Sequence, residues 1–242
     1  MEPLSVLVGY GADKLAELGE HLVRKHVIER WTRKRAIEFY REFCATLLLD
    51  NPSNATLQEM LDELLGDEAR SELVFEAYRL VCLAKSKRIG PRIIAVLVAH
   101  IVQGAGVADD EEEVLLAAAE QLSDSELLSF SSELLGLGGP NQHGEITVTL
   151  DMRQIDSNYN DRRVEIGRGS LVEVYGLWAE KLRSLGLLTD FVSERTFRYT
   201  EDSERHIDAD GSVREITWSV VFSSSSRRLA ELVQRVANES AP

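Results

Sequence analysis

Cysteine is scarce in this chain of 242 residues. The two present, Cys44 and Cys82, sit alone within helical apolar patterns. That excludes a disulfide-stapled secreted framework, a zinc ribbon and a C-x-x-C redox pair, and it predicts reduced thiols in a cytoplasmic protein. Long hydrophobic runs are missing too. The longest, IIAVLVAHIV at 93–102, contains His100. It is well short of the ~20 apolar residues that span a bilayer, so no membrane association is expected. The opening MEPLSVLVGYGADK lacks a basic start and an apolar core, which predicts no cleaved leader. Net positive charge is absent: 27 Lys and Arg face 41 Asp and Glu, for a formal net charge of -14. Such a surface repels nucleic-acid phosphates unless cations cluster locally.

The common catalytic and cofactor signatures are also missing. Gly9 and Gly11 lie between an apolar run and a helix, but Lys14 stands where a dinucleotide fingerprint needs its third glycine. Gly167 and Gly169 have Val172 in that place. No phosphate-cradling G-x-x-x-x-G-K-[ST] appears. Around Asp208, Asp210 and Gly211, a calcium loop would start at His206 and end at Thr217, where oxygen ligands and a bidentate glutamate are required. His143 and Glu145 form half of a zinc-deaminase motif without its cysteine half. His100 reads as a hydrogen-bonded core histidine. There is no G-x-S-x-G elbow, and neither cysteine has an identifiable histidine partner. No catalytic residue, cofactor or metal ligand is expected.

What is present is mostly helical pattern. A basic amphipathic stretch covers about 12–49, as one helix or two. Pro52 and Asn54 interrupt it. Thr56 and Glu59 form a capping box for a helix expected to end on Gly66 as a left-handed cap. Leu73, Val74, Ala77, Leu80 and Val81 share one stripe of the next helix. Pro91 is placed as the first residue of a helix to Gln103 that is apolar nearly all round, hence central. A helix over 111–122 follows, then one with Ser123 and Glu126 as a capping box that carries Leu127, Leu128, Phe130, Leu134 and Leu135.

GLGGPNQHGE at 136–145 divides the chain, giving 1–138 as an α-helical bundle and 139–242 as an α+β module. In the module, EITVTL alternates as a half-buried strand, and a single helix capped by Ser170 and Glu173 runs to Gly186. DFVSERTFRYT and SVREITWSVVF read as strands joined at Asp210-Gly211, and a serine-capped helix closes the chain. The fold class is mainly α with a smaller α+β part, either winged-helix-like or a small sheet covered by helices.

Two features carry charge of functional interest. GAGVADDEEEV at 104–114 puts five acids in a row. A metal loop is one reading; the other is a helix start, with Asp109 as N-cap, Glu112 completing a capping box, and the remaining acids facing the positive end of the helix dipole. Recurrence of the same device at Thr56, Ser123 and Ser170 favours the helix start. The second feature is RKHVIERWTRKR, in which Arg24, Lys25, Arg30, Arg33, Lys34 and Arg35 surround Trp31. Cations with an aromatic can hold phosphate or an acidic partner, whereas a solvated helix face is the commoner fate of a charge run. A second basic stretch, KSKR with Arg92, sits at the Gly90-Pro91 corner.

The stretch AHIVQGAGVADDEEEVLLAAAEQL resembles the helical turn of TerB-like tellurite-resistance domains, in which an A-D-G-x-V turn precedes an acidic helix. Val107 and Glu111 match, but Gln103, Gly104 and Ala105 replace Ala-Asp-Gly, so the metal site of that family does not carry over. YGLWAEKLRSLGLL, a hairpin and WSVVFSSSSRRLAELV resemble bacterial proteins of the Abi-alpha phage-resistance type. Leu182, Leu185, Gly186 and Leu187 match their helix end, whereas Phe222 and the serines depart from their second motif. This resemblance implies a bacterial accessory or defence-related protein. The expectation is therefore a cytoplasmic, non-enzymatic interaction or regulatory protein with a protein partner, a homo-oligomer being one form. The alternatives are a nucleic-acid-associated regulator using the 24–35 patch and a metal-dependent enzyme.

Overall fold

The computed structural model describes residues 29–50, 57–104, 106–137, 139–156, 170–199 and 211–238. Among these residues six helices come first: α1 (Glu29–Asp50), α2 (Leu57–Gly66), α3 (Glu68–Leu83), α4 (Ile89–Gln103), α5 (Asp110–Gln121) and α6 (Asp124–Gly136). Then follow β1 (Ile146–Asp156), α7 (Leu171–Tyr175), α8 (Leu177–Ser184), β2 (Leu188–Tyr199), β3 (Gly211–Phe222) and α9 (Ser224–Asn238). The chain is mainly helical, with one small antiparallel sheet in the order β1-β3-β2. It divides into two compact units, residues 1–112 with 119–124, and residues 113–118 with 125–242.

In the first unit, α1, α3 and α4 pack together. Thirteen of the 15 residues of α4 are buried, because its Ile, Val, Leu and Ala side chains leave no polar face. Each large one withdrawn from water contributes about 1.5–3 kcal/mol. Phe39, Phe43 and Leu47 of α1 and Ala77 and Val81 of α3 are buried as well.

Two expected details differ here. Gly66 is not left-handed; the chain turns at Asp67, which is extended (φ -89, ψ 123) and accepts the N–H of Arg70 at 2.9 Å as the N-cap of α3. A junction made by a capping carboxylate needs no left-handed residue. Helix α4 starts at Ile89, so Pro91 is its third residue. First-turn N–H groups have no partner inside the helix, so a proline is tolerated there as well. The Thr56 cap lies outside the described residues.

In the second unit, Ile146, Phe222 and Leu188 are aligned across the sheet and buried, as alternation requires. The β1–β3 register shifts between Thr149 and Asp151. Buried against the core are Leu127, Phe130 and Leu134 of α6, Trp178 and Leu182 of α8, and Leu229, Ala230 and Val233 of α9. An aromatic cluster organises them: Trp178 meets Phe130 edge-on at 5.4 Å, and Tyr175 meets Phe222 at 5.8 Å. Ser131 donates to the carbonyl of Ala230 at 2.9 Å, tying α6 to α9.

The expected single helix from Ser170 to Gly186 is two. Gly176 (φ 91, ψ -178) breaks it after the capping box of Ser170 and Glu173, a conformation open to glycine alone at this position. Gly186 (φ 73) then ends α8: its N–H reaches Arg183 O at 3.1 Å and that of Leu187 reaches Leu182 O at 2.9 Å, the paired bonds of a glycine C-cap. Gly211 belongs to β3 and pairs with Tyr199, so it is a strand residue where a turn glycine was expected. Asp208 and Asp210 lie outside the described residues. Ser223 caps α9, its Oγ taking the N–H of Ser226 at 3.3 Å.

Candidate functional site

The acidic stretch at 104–114 resolves into a helix start. Gly106 (φ 73) bends the chain after α4. Asp109 Oδ1 accepts the N–H of Glu112 at 2.7 Å, and Glu112 Oε2 accepts that of Asp109 at 3.1 Å. Both arms of the capping box are thus formed. Among the described residues, no three His, Cys, Asp or Glu side chains converge as a metal would need. No helix among them is long and apolar enough to cross a membrane.

The two basic stretches meet. Arg35, half-buried on α1, donates from Nε to the carbonyl of Ser86 at 3.2 Å and from a terminal nitrogen to that of Cys82 at 3.0 Å. These carbonyls end α3 and the link after it, so the guanidinium fork pins the start of α1 to the corner at 84–90. Arg33 and Lys34 on one side, and Lys85, Lys87 and Arg88 on the other, are exposed. Arg30 and Trp31 lie in the first turn of α1, their side chains outside the described residues, and Arg24 and Lys25 lie wholly outside them. Arg92 is turned inward: its terminal nitrogen lies 2.6 Å from Glu42 Oε2, with both side chains buried.

The corner is built around Asp124, which sequence reasoning passed over. Its carboxylate accepts the hydroxyl of Ser86 and the backbone N–H groups of Lys87 at 3.1 Å, Arg88 at 3.3 Å and Ile89 at 3.0 Å. The Ser86 hydroxyl oxygen in turn receives the N–H of Gly90 at 2.6 Å. Burial pushes the Asp124 carboxyl up, but the hydrogen bonds, that of Ser86 foremost, outweigh it and hold the group below its usual value. A carboxylate accepting N–H groups of a helix's first turn is a cap supplied from elsewhere in the chain.

Beside this corner, α1 carries a second apolar stripe. Phe39, Phe43 and Leu47 are buried, while Ile37, Tyr40 and Leu48 are 50%, 47% and 46% exposed and Cys44 is half-buried. At 3.6 residues per turn, Ile37, Tyr40, Cys44 and Leu48 fall within about 80° of arc. On α3, Phe75 and Leu83 are exposed too, and Tyr78 stacks on Tyr40 at 6.2 Å. Burial raises the Cys44 thiol, so it is no activated nucleophile. The Tyr78 hydroxyl is raised chiefly by its hydrogen bond to Cys82.

Comparison with protein-family models, curated proteins and solved structures finds no match to this chain.

Proposed function

We propose that this chain is a non-enzymatic interaction or regulatory protein that acts through protein contacts in the bacterial cytoplasm. The outward stripe Ile37–Tyr40–Cys44–Leu48 carries the reading. Large apolar side chains repeated at helical spacing and left exposed beside a helix's buried stripe are what a partner helix or surface buries. Scattered exposed hydrophobes would need no explanation; a stripe does. Its rim is mixed in sign, Glu38 beside Arg41 on α1 and Glu76 beside Arg79 on α3, which suits a protein partner, including a second copy, over a surface of one charge. The Abi-alpha resemblance adds a defence-related setting.

The test is self-association of the full chain by sedimentation velocity across a wide concentration range. An oligomer that Ile37→Glu and Leu48→Glu each convert to a monomer, with helix content unchanged, is expected. A wild-type chain that stays monomeric throughout and equals both variants in every measurement counts against the stripe as a self-contact.

A further inference from the structure

We infer that the end of the first unit where Arg35 joins α1 to the 84–90 corner is a docking surface for a short acidic segment of another protein. The inference rests on the protein-binding reading above but uses a different surface. Five exposed cations, Arg33, Lys34, Lys85, Lys87 and Arg88, stand on two chain segments that Arg35 holds together through Ser86 and Cys82. The segments are rigid where it matters: Arg33 and Lys34 are within a helix of 22 residues, and the Lys87 and Arg88 backbones are held by Asp124. Backbones fixed in place before binding leave only the side chains to be ordered when a partner arrives. Two of the nearby acids already have partners. Asp124 accepts its four donors, and Glu38 lies 4.0 Å from Arg41.

Length decides between the two polyanions that fit such a patch. Duplex DNA carries one negative charge per about 1.7 Å of its axis and continues in both directions. On a chain of net charge -14, a duplex meets net repulsion beyond these five cations. Screening acts over only about 8 Å at physiological ionic strength, so those repulsions are felt wherever the duplex lies close. An extended peptide advances about 3.3–3.6 Å per residue, so six acidic residues cover about 20 Å and can end with the patch. Its carboxylates accept charge-assisted hydrogen bonds from Arg and Lys, the bidentate form being open to Arg33 and Arg88.

The experiment is fluorescence anisotropy of a labelled octa-glutamate peptide titrated with the full chain at low and at physiological ionic strength, beside DNA oligonucleotides of equal charge, single-stranded and duplex. The peptide is expected to bind, more weakly as salt rises. Lys85→Glu/Lys87→Glu/Arg88→Glu and, separately, Arg33→Glu/Lys34→Glu each weaken it roughly tenfold or more. Arg195→Glu/Arg227→Glu, the same kind of charge change in the second unit, leaves it within about twofold. Thermal melts of every variant separate lost binding from lost folding, and the α1 pair stands in if the corner variant is unstable. Absence of peptide binding at low salt, equal losses in the control, or tighter binding of an oligonucleotide than of the peptide overturns the proposal. Leu48→Glu keeps the two readings apart, because it abolishes self-association and, about 21 Å along α1 from Lys34, leaves peptide binding intact.

Discussion

Asp124 caps Ile89 from 35 positions away: its Oδ1 receives the first helical N–H of α4 at 3.0 Å. Arg88 at the N-cap position of α4 makes no side-chain bond, and the one local side-chain acceptor described is Ser86, which takes the N–H of Gly90. Without Asp124, the N–H groups of Lys87, Arg88 and Ile89 would lose a shared acceptor beside the most buried helix of the unit. Asp124→Ala is therefore expected to cost about 2 kcal/mol, at the upper end for a lost cap, as read by urea unfolding. Asp124→Asn costs less, because an amide oxygen still accepts.

The same contact sets a pH response. The Asp124 pKa is lowered in the folded chain. Its contribution is therefore complete above the unfolded value of about 3.9 and is lost as pH falls through the lower folded value. Wild type should lose stability more steeply than Asp124→Asn as pH drops below about 4, while the two curves run parallel near neutrality. Parallel curves down to the acid limit would show that this carboxylate is not held by its four donors.

Two glycines should respond oppositely to alanine. Gly66 ends α2 with a Cβ site that meets nothing within 4 Å. Gly66→Ala is expected to stabilise by about 0.4–1 kcal/mol through the unfolded chain. Gly90 lies in the first turn of α4, where a Cβ would collide with the carbonyl oxygen of Ala119 and lie 2.7 Å from Ser86 Cβ. Gly90→Ala should destabilise by about 1–3 kcal/mol, the usual cost of overpacking. Thermal or urea midpoints of the two variants, measured side by side, check both signs.

Local features were legible in the sequence, and distant ones were not. The Asp109–Glu112 and Ser170–Glu173 boxes join residues three apart, so a helical register reveals them. Alternation gave away β1, and continuous apolarity marked α4 as central. Arg35 with Ser86, Glu42 with Arg92 and Asp124 with Ile89 are separated by 51, 50 and 35 positions. Nothing periodic links such pairs, and with 41 acids in the chain no rule singles out the two that matter. Both basic stretches were visible as runs. That they share one corner, and that Arg35 and Arg92 face inward from them, is a property of the packing.

The buried pair of Arg92 and Glu42 lends itself to a double-mutant cycle. Two bonds of 2.6 and 2.7 Å join the guanidinium to Glu42 Oε2, between α1 and α4. Removing one partner leaves a buried charge uncompensated, so Glu42→Leu or Arg92→Met alone should cost about 3–5 kcal/mol. The double variant should cost far less than the sum, because the desolvation of both ions disappears with them. Chemical unfolding of the four proteins measures the coupling, which is expected to exceed about 1 kcal/mol. Additive losses would mean that each side chain is held by its other neighbours rather than by the pair. Retained peptide binding in the double variant would then separate this internal pair from the exposed cations of the same corner.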